Sequence, residues 1–313
     1  PLTNSKVTVG GDGFAEGEGA AYTVSGSQTY VGSSENTFTY DLNDGTKADN
    51  YKITTANGTL TVTNRTAKYE ITVKAKSAEF KYDGTEKSVS GLETLTFEVN
   101  GHTYTVSGLS ASAAGTDAGT YPVSVKGTAV VKDAAGTNVT AQFTVKTEDG
   151  QLNITKRSVV LKSETAEKEY DGTALTAKEV TVSGDGFVEG EGASYNVTGT
   201  QTVVGSSENK FTYDLNDGTK ADNYEIKTAN GTLTVTNRSV KYPITVTAKS
   251  GSRTYDGQPV TMSGFEKTTF TVEGKTYTVS GLTASVTETN AGSYTVPVTG
   301  TAIVKDAAGN DVT

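Results

Sequence analysis

Residues 11–66 of this 313-residue chain return 173 positions later almost unchanged. Roughly 46 of the 56 positions are identical between the copies, and no insertion interrupts the match from Phe14/Phe187 through Tyr82/Tyr255 to Gly127/Gly300. Self-similarity at a fixed period marks a chain built from repeated units rather than one large core. Within the repeat, the stretch from Gly58 to Arg65 recurs word for word from Gly231 to Arg238. A looser spelling occupies Gly150 to Arg157. Leu60 and Val62 alternate with threonines, the period of a strand with one buried and one wet face. Each copy follows a turn dipeptide, Asn57-Gly58, Asp149-Gly150 or Asn230-Gly231, which is a strong hairpin signal.

The three copies read as closing strands of successive modules. Residues 1–65 form a module of type A open at its N-terminal side, 66–157 a module of type B, 158–238 a second type A, and 239–313 a second type B open at its C-terminal side. Pro1 aligns with Ala174 and Thr313 with Thr140, as expected of a window on a longer array. The alternative is open modules that accept strands from neighbouring molecules.

Strands are expected over Lys6–Val9, Tyr22–Ser25, Thr37–Leu42, Tyr51–Thr54 and Thr59–Thr63 of the first module. In the second they are expected over Tyr69–Lys74, Leu95–Val99, Thr103–Val106, Tyr121–Val125, Ala129–Lys132, Gln142–Lys146 and Leu152–Thr155. Val159–Lys162 opens the third module, and the fourth begins near Val240. Asn100-Gly101 fits a type I′ turn. No run of ten residues carries a helical apolar period, and at 34% the hydrophobic fraction is low, which suits thin sheets wet on one face.

The expected fold class is therefore all-β: a tandem array of small antiparallel, Ig-like β-sandwich modules forming an elongated rod. A β-grasp-like module would need a helix. Joints of a few residues, with Pro243 at one of them, are too short for a flexible tether. Leu60, Val62, Ile53 and Phe38, with Leu233, Val235, Ile226 and Phe211, are the expected core.

Composition excludes several function classes. Net charge is −9 with no basic stripe, which argues against nucleic acid or an anionic membrane as partner, and no apolar run is long enough to span a bilayer. There is no cysteine, hence no disulfide, thiolate metal site or Cys nucleophile. His102 is the only histidine, and Lys275 replaces it in the sister module, so a nucleophile–base pair of the usual kind cannot be assembled. No catalytic or cofactor-binding set is assigned, and no cofactor is expected.

The oxygen-rich loop Asp41, Asn43, Asp44, Asp49 and its copy Asp214, Asn216, Asp217, Asp222 are the candidate calcium ligands. They miss EF-hand spacing by one residue and lack a closing bidentate Glu. The competing reading is a loop whose Asp and Asn side chains hold backbone amides. Gly11-Asp12-Gly13 and Gly17-Glu18-Gly19 are turn glycines, since their acids would repel a phosphate and no helix follows. Lys76, Lys162 and Lys249, with Asn64, Asn153 and Asn237, stand where an internal Lys–Asn cross-link would have to form. The ordinary alternative is solvated lysine.

Tyr82-Asp83-Gly84, Tyr170-Asp171-Gly172 and Tyr255-Asp256-Gly257 follow the opening strands. With the endings from Ala48 to Thr63 and Ala118-Gly119-Thr120-Tyr121, they resemble the MBG and YDG-type tandem modules of large bacterial surface adhesins. The resemblance covers essentially the whole chain. It implies an extracellular, wall-attached or secreted protein in which such modules form a stalk or present a binding tip. The expected function is accordingly a stalk or spacer, a monomeric rod projecting a binding domain from the cell surface. The alternative is that the modules themselves bind host mucin glycans or extracellular-matrix proteins through repeated weak sites. An enzyme is not expected.

Overall fold

A computed structural model describes residues 1–313. About half the residues are in strands, and the only helical pieces are three single 3-10 turns, Ala48–Asn50, Thr140–Gln142 and Ala221–Asn223. The protein is thus nearly all-β, divided among several small sheets. The chain divides into two compact units. One comprises residues 1–78, 88–114 and 121–152; the other comprises 79–87, 115–120 and 153–313.

In the first unit, Ala20–Val24 pairs with Phe38–Leu42, and Gly32–Asn36 with Gly58–Val62, both antiparallel. The long strand His102–Gly115 pairs antiparallel with Thr96–Val99 and with Val125–Asp133. Asn100 and Gly101 between the first two strands have φ of 51° and 74°, as a type I′ turn requires. Ile71, Val73, Val106, Val131 and Phe143 form the core of this unit. They come from alternate positions of their strands, so each strand gives one face to the core.

In the second unit, Arg157–Ser163 lies between Val180–Gly184 and Tyr224–Ala229. Gly231–Thr236 lies between Ala166–Glu169 and Gly205–Asn209. Leu161 and Leu233 are fully buried and Val235 nearly so. Asn209 is the buried polar centre: its Nδ2 donates to Glu164 O and Ala177 O, and Ser163 Oγ donates to Asn209 O at 2.5 Å. Lys275–Glu288 carries Val260–Ser263, Thr269–Val272 and Val298–Lys305, all antiparallel.

Three departures from the expected fold stand out. Opening and closing strands of a module pair in parallel: Tyr69–Lys74 with Phe143–Glu148, Arg157–Lys162 with Tyr224–Ala229, and Ala166–Glu169 with Gly231–Thr236. A purely antiparallel arrangement is therefore corrected. These strands are separated by a whole module, and that length of chain permits the crossover a parallel pair demands.

Second, Lys6–Val9 and Tyr51–Thr54 belong to no strand, although their copies lie in or beside Val180–Gly184 and in Tyr224–Ala229. Third, Leu60, Leu233 and Val235 are buried as expected, whereas Val62, Ile53, Phe38, Ile226 and Phe211 are only half-buried. A sheet two or three strands wide leaves its outer positions partly in water.

Candidate functional site at the module junctions

The Tyr-Asp-Gly motif is a preformed turn. Asp83 Oδ1 accepts from the amide and hydroxyl of Thr85, at 3.0 and 2.7 Å, and Asp83 Oδ2 accepts from Lys87 Nζ at 2.5 Å. Those donors, Lys87 first, hold the Asp83 carboxyl well below the usual range. Asp171 repeats the arrangement with Thr173 and Lys168, and Lys168 lowers its carboxyl likewise. The turn hangs from the closing strand, since Tyr82 N donates to Thr155 O and Tyr170 N to Thr236 O, both at 2.9 Å.

Within the second unit, the turn of the first type B module meets the second type A module. Tyr82 is buried and donates its phenol to Glu191 Oε1, while Tyr224 donates to Glu191 Oε2 at 2.7 Å. One carboxylate thus holds two tyrosines, whose rings meet edge-on at 5.6 Å, and Phe187 packs edge-on against Tyr224 at 5.1 Å. Burial first, then the Glu191 charge, pushes both phenols up to about 12.

Beside them Asn223 is 1% exposed and uses both ends of its amide: Oδ1 accepts from Ala118 N at 2.7 Å, and Nδ2 donates to Asp117 Oδ1 at 3.0 Å. Lys220 reaches the other Asp117 oxygen at 2.6 Å. Hydrogen bonds from Asn223 and Lys220 lower the Asp117 carboxyl. Gly84 completes the fit, because a Cβ there would come within 2.9 Å of Val188 Cγ1. The exposed pair Lys81–Asp185 at 2.9 Å adds little.

The next junction uses the same motif on a different surface. Tyr170 packs with Tyr277 and Val235, and a Cβ on Gly172 would meet Lys275 Cδ at 2.6 Å and the Tyr277 hydroxyl at 2.8 Å. The junction arginines also take fixed roles. Arg65 lies over the Tyr69 ring at 4.2 Å and Arg238 over Tyr242 at 4.0 Å, while Arg157 donates to the carbonyls of Gly186 and Asp185.

The other sequence candidates fall elsewhere. Around the Asp41–Asp49 loop, Asn43 N donates to Gly19 O, Thr46 N to Asn43 O and Gly19 N to Thr46 Oγ1, so backbone amides and a threonine close it. The second copy repeats these bonds through Asn216, Gly192 and Thr219. No three His, Cys, Asp or Glu side chains converge in a way that could hold a metal ion, at Asp41, Asp44 and Asp49, at Asp214, Asp217 and Asp222, or elsewhere. His102 is exposed beside its turn. Lys76, Lys162 and Lys249 are exposed, Asn64 Oδ1 accepts from Gln142 Nε2 at 2.5 Å, and Asn153 Nδ2 donates to Glu79 Oε2 at 3.0 Å. None of these makes a buried Lys–Asn pair.

Sequence reasoning missed Glu191, Asn223 and Asp117. Glu191 and Asn223 signalled only through short repeated words, Glu-Gly-Glu-Gly and Ala-Asp-Asn-Tyr, which composition assigns to turns; Asp117, replaced by Asn290 in the sister module, gave no signal. No family model, curated protein or solved structure matches the chain.

Proposed function

We propose that the chain is the repeat region of a bacterial surface adhesin, a stalk of Ig-like modules that forms a rod and holds a binding domain away from the cell. The observation that carries this reading is the Tyr82–Glu191–Tyr224 clamp with Asn223 and Asp117 beside it. A spacer must transmit orientation from one module to the next. Buried, hydrogen-bonded groups at a joint resist bending far more than a solvated linker does. Repetition suits the same task, since length changes by adding units. The resemblance to adhesin modules supports an extracellular setting, and the lack of any disulfide requirement is compatible with it.

Small-angle scattering on the whole chain tests the proposal. Four modules of roughly 30–40 Å each, from strand rise alone, give a particle well over 100 Å long. A radius of gyration near that of a 300-residue globule, roughly 19 Å, would overturn it. A glycan array run on the same sample separates the stalk from modules that bind mucin glycans themselves: reproducible binding to one glycan class would shift the function to recognition.

A further inference from the structure

The modules at 66–157 and 158–238 each begin and end on arms that lie side by side and run the same way. In the second type A module, Arg157–Lys162 is in parallel register with Tyr224–Ala229, and Ala166–Glu169 with Leu233–Thr236. Both ladders keep the same offset between partners, so one alignment runs through the two arms. In the first type B module, Tyr69–Lys74 is in parallel register with Phe143–Glu148. Further along the same arms, Tyr82 N donates to Thr155 O at 2.9 Å.

Midway, the closing arm crosses the opening one at a glycine. A Cβ on Gly231 would lie 2.2 Å from Glu164 O and 2.4 Å from Ser163 O; on Gly150 it would lie 2.3 Å from Lys76 O and 2.9 Å from Ala75 O. Side chains pin the crossing as well. Gly231 N donates to the buried Ser163 Oγ at 2.9 Å and Thr232 N to Thr165 Oγ1 at 3.1 Å, as Gln151 N does to Ser77 Oγ at 3.0 Å. Ser163 Oγ donates in turn to Asn209 O, and Asn209 Nδ2 donates back to Glu164 O at 2.9 Å.

We propose that the paired arms are a shear lock, and that carrying tension along the chain is a function of these modules. In the second type A module, tension enters at Lys156 and leaves at Asn237, the start of one arm and the end of the other. Because the arms run in parallel, it drives them past each other along their length. The bonds of both ladders are then strained together, since a parallel ladder spaces them evenly along the pair. Antiparallel arms would put both attachment points at one end, where bonds break one after another. The proposal rests on the stalk reading for its setting, because a spacer between a surface and a bound partner is stretched whenever either is displaced.

The glycine crossing keeps the arms from sliding. Moving the closing arm by one or two residues either way brings Ala229, Asn230, Thr232 or Leu233 to the place of Gly231. Each carries a Cβ where the carbonyls of Ser163 and Glu164 leave no room for one, so steric contact blocks the slip in addition to the bonds. Glu148, Asp149, Gln151 and Leu152 meet the same obstacle at Lys76.

Single-molecule pulling on the whole chain tests the lock. The chain has no cysteine, so an introduced pair provides the only points of attachment. Lys156→Cys with Asn237→Cys pulls the arms in shear, whereas Lys156→Cys with Glu225→Cys opens the same ladder from one end. All three positions are exposed, and both variants should melt with the parent. The expected result is a rupture force several times higher for the shear pair. That rupture should release about 80 residues at ~3.3–3.6 Å each, roughly 250–300 Å of chain. Adding Ser163→Ala should lower the shear force and leave the opening force where it was. Equal forces in the two geometries, or a shear force indifferent to Ser163→Ala, would overturn the proposal. Unequal forces in a chain that scatters as a globule would keep the lock and remove the stalk; equal forces in an extended chain would do the reverse.

Discussion

Tyr82 donates its phenol to Glu191, a carboxylate 109 positions further along the chain, and the same carboxylate accepts from Tyr224. The bond gives an otherwise buried hydroxyl its partner and places a charge acceptor between two rings. Removing the hydroxyl with Tyr82→Phe should cost about 1–2 kcal/mol in urea denaturation, because a charged acceptor is involved. Glu191→Gln should cost a similar amount. The double variant should cost less than the sum, since both changes remove the Tyr82–Glu191 bond. Strict additivity would mean that the clamp contributes nothing as a pair.

The same tyrosines set a pH limit. Both phenols are raised from 10 to about 12 in the folded chain. A group whose folded value is raised contributes stability that is fully present below its unfolded value, and that contribution fades as pH climbs through the folded one. Stability should therefore be flat up to about pH 10 with respect to these groups and decline between about 10 and 12. Tyrosinate absorbance should show a late-titrating fraction that shrinks in Tyr82→Phe and persists through the other buried phenols, Tyr224 among them. A single titration at the ordinary phenol value would contradict the clamp.

Gly231 and Gly58 hold the same place in the repeated closing strand, yet their surroundings differ. A Cβ on Gly231 would meet Glu164 O at 2.2 Å and Ser163 O at 2.4 Å, whereas at Gly58 the nearest atom is Asn36 Cβ at 3.7 Å. Gly231→Ala should destabilise the second unit by about 1–3 kcal/mol through overpacking. Gly58→Ala should stay within about 0.5 kcal/mol of the parent. Equal thermal shifts for the two variants would show that the opening strand does not press on residue 231.

Leu233 is fully buried on that strand. Leu233→Asp places an unpaired charge in a thin core and should remove several kcal/mol, enough to unfold its module. Circular dichroism on heating reads the effect. A variant melting with its parent would put the leucine on the solvent face, as a one-residue shift of register would.

The repeat, the strand alternation and the turns were legible because each is a local property. Asn100-Gly101 adopts its left-handed pair of residues where the dipeptide predicts it, and Tyr69–Lys74 is a strand over the expected bounds. Alternation also identified Leu60, Leu233 and Val235 as core, although it could not tell full burial from half.

Strand direction was not legible, since a period of two reads the same whether the partner runs up or down. The clamp was not legible either, because Tyr82 and Glu191 are joined only by the fold.

The clearest division between the two levels lies in the near-identical segments beginning at Tyr51 and Tyr224. Tyr224–Ala229 is a strand, in parallel register with Arg157–Lys162, and Tyr224 is buried; residues 51–56 form no strand and Tyr51 is half-exposed. Local propensity is nearly equal in the two copies. The difference is tertiary: the backbone groups of Tyr224–Ala229 find partners on Arg157–Lys162, and a strand exists only where those groups are paired.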